Sequence, residues 1–180
     1  ADQSALSGPA AKRDNRAGIV AGVLASPPVS PYDTLVLSLG ERGGVAVGQE
    51  AFGNGGVPLG IVSSVLADFS RVTLFSAPNM STHGWVGHSN IPLEILGEGG
   101  GALRASLARS TGVAVGDAVF APSPGALPIG SVIRIDSDPS SPTVTLFIRP
   151  ALNPFSVTWV ALRDAGTAFA DSFSCAASLP

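Results

Sequence analysis

The sequence predicts an all-β fold made of two small antiparallel β-barrel subdomains, and three observations carry that reading. Glycine (22) and proline (15) are so frequent among the 180 residues that long helices are excluded, because Pro costs about 3 kcal/mol and Gly about 1 kcal/mol in a helix interior. Between these breakers lie short apolar, β-branched segments bounded by turn signals, the pattern of a barrel or sandwich. The pattern also occurs twice, so the second half reads as a copy of the first.

Taken in order, residues 1–16 carry both signs of charge and almost no large apolar side chain, and read as a solvated tail or linker. Ordered structure is expected from Ala17 to Asp164, with a first barrel over 17–90, a second over 91–164 and a patternless C-terminal tail over 165–180. Thr34 to Leu39 shows the cleanest alternation: Leu35, Leu37 and Leu39 share one face and Thr34 and Ser38 the other. Gly44-Val45-Ala46-Val47-Gly48 recurs unchanged as Gly112-Val113-Ala114-Val115-Gly116, and Phe52 returns as Phe120, both at an offset of 68. Leu59-Gly60 returns as Ile129-Gly130 at 70, and Val72-Thr73-Leu74-Phe75 as Val144-Thr145-Leu146-Phe147 at 72. Three blocks in the same order are best explained by duplication, and each Gly-Val-x-x-Gly element reads as a tight turn into its barrel. Asn79–Arg109 is the expected connection plus the first strands of the second unit, and Pro154–Leu162 reads as a closing strand.

Composition excludes several functions. The net charge is −3, with one lysine, Lys12, and nine scattered arginines, so no basic stripe is available to neutralise a phosphate backbone. Nucleic acid is therefore not an expected partner. The best apolar run, Ala17–Ala25, contains two glycines and falls far short of the ~20 residues a spanning helix needs. No apolar signal segment is legible in residues 1–16. The single cysteine, Cys175, permits no internal disulfide.

Candidate chemistry is sparse. Gly97, Gly99 and Ala102 match a dinucleotide fingerprint literally, but the strand–turn–helix context it requires is missing, and a bulged loop before a strand is expected instead. Paired barrels invite comparison with chymotrypsin-like proteases. His83, His88, Asp68 and Asp117 are available, yet Gly116-Asp117 runs into Ala118-Val119 and not into a serine flanked by oxyanion-hole glycines. Ser123 sits between Pro122 and Pro124, which resist the strained turn of a nucleophile elbow. His83 and His88, even with Glu94 or Cys175, lack the spacing of a metal site. No catalytic residue, cofactor or metal is predicted. A partner-binding loop is: Asn79 to Asn90 carries Asn79, Met80, His83, Trp85 and His88, and tryptophan is a common interface anchor. The competing expectation is that Trp85 packs on its own barrel.

Read together, Tyr32-Asp33-Thr34-Leu35-Val36-Leu37 with Gly40, Gly44-Val45, Val47-Gly48, Leu59-Gly60-Ile61-Val62, Ser70 to Leu74, Val115-Gly116-Asp117-Ala118-Val119 and Pro128 to Val132 resemble the β-domain of the MreC family of bacterial rod shape-determining proteins. The stretch from Ile91-Pro92 to Ala102 is similar to divergent members. The resemblance implies a non-enzymatic, extracytoplasmic scaffold of the cell-elongation machinery, held to the cytoplasmic membrane through an N-terminal helix and coiled coil that this chain lacks. It further implies self-association and binding of a class B penicillin-binding protein and other elongation-complex proteins. The loop at Ala121 to Gly125 is shorter than the family's usual connection. Two other readings compete with it, a barrel-pair protease or its inactive relative and a barrel-type adaptor of an export system. The first lacks its nucleophile motif, and the second lacks a helical hairpin and lipoyl-like half-motif.

Overall fold

The computed structural model describes residues 18–123 and 127–164; the expectations for both tails, Pro124, Gly125 and Cys175 lie outside them. Twelve strands are present among these residues: β1 (Ile19–Ala25), β2 (Thr34–Leu37), β3 (Gln49–Phe52), β4 (Pro58–Val65), β5 (Ser70–Leu74), β6 (Ser81–Val86), β7 (Ile91–Gly99), β8 (Ala102–Ala108), β9 (Ala118–Phe120), β10 (Pro128–Ser137), β11 (Thr143–Pro150) and β12 (Trp159–Asp164). They close into two six-stranded antiparallel barrels, ordered β1-β12-β3-β4-β5-β2 and β10-β11-β8-β7-β6-β9. Closure removes the unpaired edges that an open sheet would expose.

Period-two alternation fills each interior. Leu35, Leu37, Val62, Val72, Leu74, Val160 and Leu162 form the first core, and Ile95, Leu103, Ala105, Val119, Val132, Leu146 and Ile148 the second. Burying each such branched aliphatic contributes about 1.5–3 kcal/mol relative to exposure.

The two barrels are copies at the level of hydrogen bonds. In the first, Gly44 and Gly48 adopt left-handed φ of 84° and 90°; in the second, Gly112 and Gly116 adopt 73° and 99°, a conformation glycine enters without penalty. The Gly48 N–H donates to the Val62 carbonyl at 2.9 Å and the Gly116 N–H to that of Val132 at 2.8 Å. Inside each turn the Ala46 N–H donates to Gln49 Oε1 and the Ala114 N–H to Asp117 Oδ2. Register breaks at Val62/Ser64 and again at Val132/Arg134, which are the same bulge twice.

Two expectations need correction. The Val72–Phe75 and Val144–Phe147 blocks do occupy equivalent strands, β5 and β11, but not equivalent positions. Val62 faces Val72 whereas Val132 faces Ile148, so the structural offset there is 76, not 72. A four-residue slip is even, so the same residue types stay on the same face while the second hairpin grows longer. The division at 90/91 also differs from the strand pairing. β6 pairs with β7 and β9 in the second barrel, and β12 pairs with β1 and β3 in the first. Both are short amphipathic strands filling the same slot, one supplied from before its barrel and the other from beyond it.

The barrels are joined by packing and by one carboxylate. Ile61 and Phe75 of the first barrel lie in the core cluster of the second. Asp33, only 5% exposed, accepts the Ser76 hydroxyl at 2.7 Å and the Gly100 and Gly101 N–H groups at 3.0 and 2.7 Å. The glycine cluster is thus the bulged β7–β8 hairpin, with Gly99, Gly100 and Gly101 all at positive φ. Its amides form an anion-binding nest occupied by a side chain of the other barrel.

Candidate functional site

The stretch expected as a loop, Asn79 to Asn90, is for half its length strand β6, because it pairs with β7 and β9; Val86 points into the second core, so alternation sends Trp85 and His83 to the barrel's outer face. Trp85 pairs across to Phe120 of β9. The two rings stack 5.8 Å apart between centroids, with planes 10° from parallel, a favourable aromatic arrangement. Both remain half-buried. Around them Gly84, His88, Asn90, Pro92 and Ala118 line an open concavity of about 660 Å³. The glycines and Ala118 keep its floor low, and the aromatic pair forms one wall.

The predicted partner-binding residues separate into two groups. Trp85 and His88 line the concavity. His83 is exposed on the same strand opposite Glu94, whose carboxylate already accepts the Ser81 hydroxyl. Asn79 and Met80 lie at the other end, before β6: Asn79 takes a left-handed φ of 66° and Met80 packs on the second core. Phe120 was not legible as a site residue, although its place in the repeat was. The repeat also shows what is unusual about it. Its counterpart Phe52 is 1% exposed, and Trp85 stands where the first barrel has Ala161, as the shared pairing to Phe52 and Phe120 shows.

Ser123 lies near Glu50, on the seam between the barrels, and His83 and His88 belong to β6 and the turn after it. Glu50 is wholly buried and neither of its carboxylate oxygens has a hydrogen-bond partner. Burial pushes it up to about 7, against the Ser123 hydroxyl and the Arg163 guanidinium, which both pull it down. Among the described residues, no three His, Cys, Asp or Glu side chains group as metal ligands do.

Comparison with known proteins places this architecture. The crystal structure of MreC from Pseudomonas aeruginosa superposes with a TM-score of 0.71 at 22% identity, covering 79% of this chain and 96% of that one. The major periplasmic domain of the cell shape-determining filament MreC gives 0.61 at 22% identity over 79% and 92%. MreC in its complex with the penicillin-binding protein PBP2 from Helicobacter pylori gives 0.57 at 12% identity over 81% and 96%. No curated protein sequence is detectably similar to the chain. The family of the rod shape-determining protein MreC, barrel core, matches residues 23–164, a span that runs from the last residues of β1 to the end of β12 and so takes in nearly all of both barrels. With most of its length and both of its barrels accounted for in this way, the chain belongs to the MreC family.

Proposed function

We propose that this chain is the barrel core of a non-enzymatic scaffold in bacterial cell elongation, and that the outer face of β6 and β9 docks a class B penicillin-binding protein. The observation that carries the docking face is the stacked Trp85–Phe120 pair outside the second core. Phe52, the counterpart of Phe120 in the first barrel, is buried, whereas here the two rings border an open concavity. A half-exposed aromatic pair with a small-residue floor suits an apolar anchor from a partner, the type of contact that dominates interface energetics. His83 and His88 extend the proposed surface along the same strand and the turn after it, whereas Asn79 lies at the strand's far end and Met80 packs on the second core. A related MreC forms a complex with PBP2 and another is the major periplasmic domain of a cell shape-determining filament, which supports partner binding, self-association and an extracytoplasmic location; anchoring to the cytoplasmic membrane is part of the same proposal.

The test is Trp85→Ala. Binding to the ectodomain of the cognate transpeptidase, measured by calorimetry, is expected to weaken by about 2 kcal/mol, roughly thirtyfold. The melting temperature should hold, because the ring lies outside the core. Unchanged affinity would remove this face from the proposal, and a lost melting transition would assign Trp85 to barrel stability.

A further inference from the structure

The most unusual buried group in the molecule is Glu50. Its neighbour Ala51 lines the first core, so Glu50 and Phe52 point out of that barrel, yet both are completely covered. What covers this face is the second barrel: Ile61, directly opposite Glu50 on β4, packs in one cluster with Ala121 and Ile129, and Ser123 follows Ala121 in the β9–β10 connection. From β12 the facing residue is Arg163, cross-strand partner of Glu50. Its guanidinium lies over the Phe52 ring, 5.0 Å from the centroid, and its buried Nε donates to no partner. Arg163 is the charged group acting on Glu50 among the described residues, Ser123 contributes only a hydroxyl, and Ile61 contributes nothing polar.

A carboxylate buried without hydrogen bonds is strongly disfavoured, while the neutral acid carries one O–H and can donate it. We propose that Glu50 makes the seam between the two barrels proton-sensitive. Protonated, it sits neutral in the covered seam and the barrels stay closed on each other; ionised, it draws water in and the seam loosens. The device is independent of the Trp85 face and concerns how firmly the two barrels hold one relative arrangement.

The direction follows from linkage. Burial raises Glu50 from 4.5 to about 7, so the folded chain binds a proton that the unfolded chain releases at lower pH. The stability this confers is complete below about 4.5 and is lost as pH rises through about 7. Between pH 5 and pH 8 the folding equilibrium should fall on the order of fiftyfold from this group. Denaturation of the wild type and of Glu50→Gln is measured across that range, together with hydrogen exchange at β3 and at Ala121 to Ser123. The glutamine variant is expected to lose the dependence and to exceed the wild type in seam protection at pH 8. A carbon-13 titration of the Glu50 carboxyl in the wild type gives a second readout, with a midpoint expected near 7, and it decides the matter if the variant fails to fold. A midpoint in the ordinary carboxylate range, or an unchanged pH profile in Glu50→Gln, overturns the proposal.

Discussion

Asp33 shows how much one side chain carries here. It occupies a left-handed position, φ 49°, directly after Tyr32 at φ 57°, a region non-glycine residues visit only at some cost. Three hydrogen bonds hold it there, two of them from backbone amides of the other barrel. Hydrogen bonds to an ionised group are worth about 1.5–3 kcal/mol. Asp33→Asn keeps the shape but loses the charge and one acceptor, and is expected to destabilise the chain by about 2 kcal/mol in urea denaturation. Tyr32-Asp33-Thr34 stood out in the sequence, and so did the glycines at 97 and 99–101. That the two features touch was not legible, because no local rule connects residues 67 positions apart.

At the scale of elements, glycine does two separate jobs that the sequence shows identically. Gly48 needs a left-handed φ of 90° and has open space where a Cβ would sit, whereas Gly60 has ordinary backbone angles but its Cβ would lie 2.1 Å from the Thr73 carbonyl oxygen. Gly130 repeats the second case, 2.4 Å from the Arg149 oxygen. Gly48→Ala should therefore cost about 1–2 kcal/mol, the conformational term alone. Gly60→Ala should cost more, about 3 kcal/mol, because a backbone oxygen in a barrel ladder has no rotamer by which to move aside. Thermal melts of the two variants side by side check the order, and equal losses would show that the β4–β5 hairpin yields. The existence of β4, β5, β10 and β11 was readable from alternation and turn residues. The four-residue slip between β5 and β11 was not, since an even slip leaves the hydrophobic pattern intact.

For the whole molecule, the decisive feature is that chain order and barrel membership part company at β12. Ending the chain after Asn153 removes the strand that pairs with both β1 and β3, while all six strands of the second barrel remain. Hydrogen exchange of that truncated chain should show β1 to β5 unprotected and β6 to β11 still protected. Loss of protection in β6 and β9 instead would mean that the second barrel depends on the first for its fold.

The sequence by itself determined the class of structure, the duplication and the family, since breaker density, period-two patterning and repeated turn glycines are local properties written in consecutive residues. It also determined that Trp85 stands among small and polar neighbours. Only the tertiary structure decided which strand completes which barrel, that Trp85 stacks on Phe120 outside the core, and that Glu50 is sealed between the barrels. Each of these depends on pairing between distant segments, and a closed sheet accepts a short amphipathic strand from either end of the chain provided its apolar face meets the core. Glu50 is the sharpest case: an acidic residue beside Gln49 reads as solvent-facing, and burial by the other barrel is what changes its chemistry.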